Sequence, residues 1–475
     1  MGGGVLIRVA TLLGVVAVAD GWPAPTVNDE LEGAEVVAAG VVAAEATGGR
    51  LSSALARNPL PPGTLSVGVG LAVTGIASYG FLVIAARYLG PVKYGGLSVL
   101  WALVFLIAGG VFLPLEQEVS RRIVGQRLAG RGGGGVVRRI GMAGLLMAGL
   151  LIVVTLALSP VLVSRLFSGD WLLLVGLIVG TAGYMVANFV EGVLSGHARF
   201  GRYGVYLGTE ALLRLAICVG CVALGSRTPG PFGLALGIAP LAVAVPVLWG
   251  QHELIAAGPS LSWGEVRRAL GALLAGSVLS QVLINASPIV VQLLARPSES
   301  AVVGVFTAAV VVTRVPLFLF QALQATLLPR LSTLAESQRF DEFGSAVLRL
   351  VLAVSALVVA GVVGGVLVGS SVITTVFGSD FRISRVAIGL LATGSGCYML
   401  TMAMGQALIA LGRAGRVALG WGAGVIAMGV GLIPGGDLVN RVGLALVAGT
   451  GAAALVVGSL LGAELRRSVH RSSPR

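Results

Sequence analysis

Long apolar runs alternate with short, arginine-bearing breaks along most of this chain. A helix needs about 20 residues to cross roughly 30 Å of hydrocarbon. Runs of that order lie at 65–86, 95–115, 141–163, 171–194, 205–225, 232–250, 269–294, 301–327, 350–370, 386–411, 417–434 and 442–462. The pattern predicts an all-α polytopic membrane protein with about 12 transmembrane helices.

Composition agrees. Of 475 residues, 56% are hydrophobic and 11% charged, and Gly numbers 72. Soluble domains carry about 25% charged residues. The mean hydropathy is +0.97. Glycine suits membrane helices because small residues let backbones approach closely.

The net charge of +12 sets topology rather than recruiting nucleic acid, since the arginines fall in short loops and no soluble segment offers a stacking platform. The even-numbered connections and the C-terminus hold Arg121, Arg122, Arg127, Arg131, Arg138, Arg139, Arg199, Arg202, Arg267, Arg268, Arg330, Arg339, Arg349, Arg413, Arg416, Arg466, Arg467, Arg471 and Arg475. The odd connections hold Arg87, Lys93, Arg165, Arg227, Arg296, Arg382, Arg385 and Arg441. By the positive-inside rule the first group is cytoplasmic, which places the C-terminus, including a basic tail at 463–475, on the cytoplasmic side of a cell membrane.

Residues 1–62 stand apart. Residues 9–19 are apolar after Arg8 and end in Ala17-Val18-Ala19, like a short signal sequence, and an acidic, Pro- and Gly-bearing linker follows. A cleaved signal conflicts with the loop charges, so the expectation is a disordered cytoplasmic tail or a start site assigned too early.

Two echoes divide the rest. ARYLGPVKYGGLS at 86–98 aligns without gaps on ARPSESAVVGVFT at 295–307: Ala86 meets Ala295, Arg87 meets Arg296, Gly95 meets Gly304 and Ser98 meets Thr307. GVLSGHARFGR at 192–202 aligns on QALIALGRAGR at 406–416, with Arg199 and Arg202 meeting Arg413 and Arg416. The offsets are nearly equal. They predict two six-helix lobes, 65–250 and 269–462, that share one orientation and are related by a pseudo-twofold axis along the membrane normal, with a cavity between them.

Ionisable residues inside the membrane are costly and face a partner or a cavity. Glu210 and Arg214 lie one turn apart on one helix face. They form either an ion pair inside the bundle or a charged patch on the cavity. Arg314, within Thr313-Arg314-Val315-Pro316, has no acid within a turn and suits an anionic cargo, because guanidinium grips phosphate as a fork. Pro288 and Pro316 are candidate kinks, beside Gln281, Asn285, Gln292, Gln321 and Gln324. Glu116, Glu118 and Glu191 fall near the cytoplasmic ends and read as structural.

Other chemistry is excluded. Cys218 and Cys221 form a C-x-x-C without the βαβ context of a redox site, and the three His residues suggest no metal cluster. Gly132-Gly133-Gly134-Gly135 lacks the G-K-[ST] ending of a phosphate-binding loop. No nucleophile elbow, zinc-protease motif or large acid-bearing loop is present, so neither an enzyme nor a cofactor is expected.

ARYLGPVKYGGLSVL resembles the A-R-x-L-G-P-x-x-Y-G signature of Wzx-type polysaccharide flippases, members of the multidrug/oligosaccharidyl-lipid/polysaccharide exporter superfamily. Leu317-Phe318-Leu319-Phe320-Gln321-Ala322-Leu323-Gln324 with Leu328-Pro329-Arg330, and LSGHARFGRY at 194–203, are similar to two further family segments. The resemblance covers about 65–462. It implies two six-helix lobes around a cationic cavity and alternating access. The cargo would be an undecaprenyl-diphosphate-linked oligosaccharide, flipped outward for surface polysaccharide such as lipopolysaccharide or exopolysaccharide. Partners would be membrane lipids and the glycosyltransferases or polymerase of the pathway. Arg314 and Arg214, with Glu210, Asn285 and Gln321, fit a cargo-binding role by position. Arg87 and Arg296 fit a gate or structural role.

The chain departs from relatives in three respects. Pro297-Ser298-Glu299 replaces Leu-Gly-Pro in the second lobe, the expected spans are two fewer than the fourteen of some relatives, lipid II flippases among them, and the first span lacks the acid of many drug/cation antiporters. Two alternatives remain: a lipid II flippase of the same superfamily, and a non-transporting membrane scaffold for glycan-assembly enzymes.

Overall fold

The computed structural model describes residues 63–317, 320 and 331–472. Residues 1–62, with their signal-like segment, lie outside that range, as do Gln321, Gln324 and Arg330. Among the described residues every regular element is helical.

The main helices are α1 (Thr64–Ile107), α2 (Leu113–Leu128), α3 (Gly134–Ala157), α4 (Trp171–Gly196), α5 (Phe200–Ala223), α6 (Gly230–Leu248), α7 (Trp263–Leu294), α8 (Ser300–Thr313), α9 (Phe340–Phe377), α10 (Arg385–Ala410), α11 (Ala414–Gly431) and α12 (Leu438–Ser472). A π-turn, Ala108–Phe112, joins α1 to α2.

Among the described residues eleven helical runs are long and apolar enough to cross a membrane, and the first, Leu65–Leu128, has 64 residues. As a straight rod it would be about 96 Å long, some three hydrocarbon thicknesses. It is a hairpin instead. Gly90 takes φ 73° and ψ 168°, and Pro91 follows. A side chain resists that φ, and Pro is at home in a first helical turn. Phe81 and Trp101 stack across the bend at 5.4 Å, although a continuous helix would hold them about 30 Å apart. The Gly-Pro of the family-like signature is therefore the bend between spans one and two, and eleven runs make twelve crossings.

The lobes repeat each other in packing as well as in sequence. In the first lobe, α1 packs on α5, α4 on α2, α3 and α6, and α5 on α6. Six helices later, α7 packs on α11, α10 on α8, α9 and α12, and α11 on α12. The α4–α5 and α10–α11 turns match atom by atom. Arg199 N–H donates to the Leu194 carbonyl at 2.8 Å, and Arg413 N–H donates to the Leu408 carbonyl at 2.9 Å. Ala198 has φ 55° where Gly412 has φ 72°, the left-handed residue that closes a helix.

The linker between the lobes rests on the first lobe. Gly134 N–H donates to the Ala256 carbonyl at 2.8 Å. A Cβ at Gly132, Gly134 or Gly135 would stand 2.2, 2.4 or 2.1 Å from a linker carbonyl oxygen. The glycine run that fails as a phosphate loop is a seat for this linker. The linker ends in a capping box, Ser262 with Glu265, which starts α7.

The matched turns give a stability prediction. No neighbour crowds a Cβ at Gly412, so Gly412→Ala isolates the cost of the left-handed backbone, about 1 kcal/mol. Ala198 already bears that strain, so Ala198→Gly leaves the melting temperature of the detergent-purified protein unchanged or raised, whereas Gly412→Ala lowers it.

Candidate functional site

The lobes meet along the second arm of α1, the π-turn, α2, α7 and α8. At the arginine-poor end, which carries the odd connections, repeat-matched residues meet each other. Ser98 Oγ donates to Thr307 Oγ1 at 3.1 Å, both buried. A Cβ at Gly304 would lie 2.1 Å from the Pro91 carbonyl oxygen, and one at Gly95 would lie 3.3 Å from Val303. Residue i touching its own repeat mate is the mark of a twofold axis.

Two latches flank that axis. Arg87 donates to the Val376 carbonyl at 2.6 Å and to the Thr375 carbonyl. These are end carbonyls of α9, which lack partners within their helix and sit at its negative pole. In the matching corner, Gln292 Nε2 donates to the Arg165 carbonyl at 3.2 Å. Arg296, the repeat mate of Arg87, offers its backbone N–H to Glu299 Oε2 at 2.9 Å. Tyr94 and Phe381 add an edge-on ring contact at 6.0 Å. The lobes are closed on each other at this end.

Deeper in, a polar ladder runs along α7. Ser277 Oγ donates to the Gly109 carbonyl at 2.8 Å, inside the π-turn. A π-turn lengthens the helix ladder by one residue and recurs at functional sites. Asn285 Nδ2 donates to Gln281 Oε1 at 2.7 Å, and Ser280 Oγ donates to the Ser277 carbonyl at 2.9 Å. Arg314 tops the ladder. Its Nη1 donates to Asn285 Oδ1 at 3.3 Å and its Nη2 to the Ile284 carbonyl. Among the described residues no carboxylate lies within 4.0 Å of it. Arg314 stands where α8 breaks, two residues before Pro316, and is half-buried. Opposite, in the first lobe, the Tyr79 hydroxyl donates to the Val311 carbonyl at 3.1 Å.

Arg214 has different surroundings. Its side chain is 1% exposed, and Nη2 lies 3.2 Å from Glu210 Oε2. Nη1 donates to the Tyr184 hydroxyl at 2.5 Å, Nη2 donates to Ser78 Oγ at 3.3 Å, and the guanidinium lies 5.5 Å from the Trp101 ring centroid. The pair thus ties α1, α4 and α5 together inside the first lobe. Glu116 and Glu191 approach the same interior. Tyr203 donates to Glu116 Oε1 at 3.3 Å, and Glu191 is within electrostatic reach of both Glu116 and Glu210.

At the arginine-rich face, carboxylates gather arginines. Glu118 holds Arg121 and Arg122, each at 2.7 Å. Glu464 holds Arg413, Arg416 and Arg467, while Arg199 pairs with Glu253 of the linker. His197, in the α4–α5 turn, has its pKa lowered from the usual value: burial lowers it most, the Val193 carbonyl raises it, and Arg127 and Arg199 lower it further.

The structure therefore brings Arg314 and Asn285 together, and separately Arg214 and Glu210. Arg87 lies at a latch, Arg296 in the α7–α8 turn, and Gln321 outside the described residues. Sequence reasoning did not reach Ser78, Trp101, Tyr184, Ser277 or Tyr79. Gln292 was named only as a polar residue beside a kink; its signal as a latch lay in its place one turn before the repeat mate of Arg87 at a span end.

No known family profile matches the chain. An uncharacterized protein of Mycobacterium tuberculosis strain H37Rv, Rv3630, is 25% identical over 396 residues, 81% of this chain and 88% of that one. A second from the same strain, Rv1510, is 26% identical over 406 residues, 84% and 91% of the two chains. Solved structures share the fold. An inward-facing multidrug resistance MATE family transporter of the MOP superfamily aligns with a TM-score of 0.68 at 14% identity, covering 86% of this chain and 100% of that one. An outward-facing one gives 0.59 at 14% identity, and a Vibrio cholerae MATE transporter gives 0.60 at 16%. The fold is that of the MATE transporters. This chain is a polytopic membrane protein of two six-helix lobes.

Two outcomes follow. Removing one member of a buried ion pair costs about 3–5 kcal/mol, because the other charge is left unpaired. Arg214→Leu should therefore unfold far more readily than Glu210→Gln/Arg214→Met, measured as melting temperatures in one detergent. With the three native cysteines replaced, Ser98→Cys/Thr307→Cys should form a disulfide under mild oxidation, read as a link between protease fragments of the two lobes.

Proposed function

We propose that this protein is a transporter that flips an undecaprenyl-diphosphate-linked oligosaccharide from the cytoplasmic to the outer leaflet of the cell membrane. The observation that carries the reading is Arg314. It is a half-buried cation at a helix break on the lobe boundary, held by an amide and a carbonyl and without a carboxylate within 4.0 Å among the described residues. A permanently charged group in the membrane needs a counter-anion, and a cargo diphosphate supplies one in the geometry guanidinium prefers.

In this reading the arginine-rich face is cytoplasmic, and the closed arginine-poor seam is the outer gate. Cargo enters from inside while Ser98, Thr307, Arg87 and Gln292 hold the outside shut. The diphosphate docks on Arg314, Asn285 orients the guanidinium, and the sugars lie along the polar ladder of α7. Release needs the seam to part and the opposite side to close. Arg214 and Glu210 are enclosed, so they act by holding spans one, four and five as one body. The reaction needs no bond chemistry and no cofactor. Glycosyltransferases or a polymerase of the same pathway would supply and consume the cargo.

The test is reconstitution with a fluorescent undecaprenyl-diphosphate-oligosaccharide in liposomes. Arg314→Ala should lower the flipping rate at least tenfold, while the protein still inserts and elutes as one species. Arg314→Lys should retain part of the rate, because it keeps the charge and loses the fork. Wild-type flipping by Arg314→Ala would overturn the assignment of Arg314. No flipping by the wild-type protein would favour a scaffold, and flipping restricted to a lipid-linked peptidoglycan precursor would favour the lipid II reading.

A further inference from the structure

A chamber of about 280 Å³ lies on the side of the first lobe, away from the seam. Its walls come from α3, α4, the end of α6 and the linker turn His252–Ile255, and they include Val137, Phe189, Val193 and Ile255. Gln251 and His252 are its polar members. Neither has a side-chain hydrogen-bond partner among the described residues.

Depth, polarity and charge identify the occupant. The first is depth. Val193 and Phe189 lie three and seven residues before the end of α4 at Gly196, and Val137 lies three residues into α3. At 1.5 Å per residue this is about 5–10 Å from the helix ends, the level where headgroups give way to acyl chains. The second is polarity. Seven of its nine lining residues are apolar, and such walls suit an acyl chain better than water, which needs polar partners. The third is charge. Arg138 follows Val137, is exposed, and makes no ion pair among the described residues. Basic pockets between helices at such a face recognise lipid phosphate.

We propose that this chamber binds one acyl chain of an anionic phospholipid, with its phosphate at Arg138 and the free side chains of Gln251 and His252. The occupant touches α3 and α4 on one side and the linker turn on the other. It therefore fastens the interlobe linker to the first lobe, beside the glycine seat and the Arg199–Glu253 pair. The site is independent of the cargo reading and needs only that the chain span a bilayer.

Native mass spectrometry of the full-length protein in mild detergent tests this, with phosphatidylglycerol and phosphatidylcholine titrated separately. Phosphatidylglycerol should give a one-to-one adduct at least fivefold tighter than phosphatidylcholine. Ile255→Trp fills the chamber mouth from a position 61% exposed, and should weaken that adduct at least tenfold. Arg138→Ala, a surface change, should weaken it about fivefold and erase the headgroup preference. Leu455→Trp, 76% exposed on the other lobe, should change nothing. In wild-type protein, phosphatidylglycerol should slow amide exchange in residues 250–262, and in Ile255→Trp it should not. Equal affinity for the two lipids, undiminished binding by Ile255→Trp, or linker exchange indifferent to lipid would each overturn the proposal.

Discussion

The Ser98–Thr307 hydrogen bond lies where the two lobes are related to each other, and the arrangement of the remaining polar groups follows from that closure. Residues on a twofold axis meet their own repeat mates, so they must fit against themselves, and Ser98 with Thr307 does so as donor and acceptor. Beside them Gly95 and Gly304 let Val303 and Pro91 of the opposite lobe come close by having no side chain. Lipid offers no hydrophobic drive for helix association, so close packing and such hydrogen bonds carry the contact. A hydrogen bond of this type contributes about 1 kcal/mol net. A seam held by a few of them is firm enough to define a state and weak enough to part.

The same closure gives the two membrane arginines opposite surroundings. Arg214 lies within one lobe, so its partners Ser78, Tyr184 and Glu210 move with it and its contacts can be permanent. Arg314 lies at the boundary, beside a broken helix, with a neutral amide and a carbonyl as partners. In the proposed function, a carboxylate there would neutralise it and leave nothing for a cargo. Fixed cations at the core of a lobe serve folding, and cations at its edge can serve a ligand.

Much of this architecture was legible in the sequence. The spans follow from apolar length, and the lobes from the two echoes, because duplicated helices keep the residues at which they touch. The Glu210–Arg214 pair was legible because both residues share one helix face. Its environment was not, since Ser78, Trp101 and Tyr184 reach it from other helices, and no local spacing encodes that. The glycines at 132–135 show the same limit. The sequence excluded a phosphate loop there but named no role, because their purpose depends on a linker more than 100 residues away passing within van der Waals contact. The stretch at 87–94 read as a loop, yet only Gly90 leaves helical geometry, because one left-handed residue before a proline suffices to turn the chain.

The degraded part of the repeat has a consequence for the seam. In the first lobe Gly90-Pro91 makes the turn and leaves the Arg87 side chain free to reach the end of α9. In the second, Pro297–Glu299 forms a short 3-10 turn whose Glu299 caps the Arg296 N–H, and the reach toward the end of the first lobe's third span passes to Gln292. The two corners are equivalent in position but not in strength. Arg87 brings a full charge to the negative pole of a helix with two donors, and Gln292 brings one neutral donor to a single carbonyl. Charge-assisted bonds are roughly twice as strong as neutral ones, so the α7 corner is the weaker latch. In the proposed transport cycle such a seam parts first at the weaker corner, where Pro297-Ser298-Glu299 stands in place of Leu-Gly-Pro.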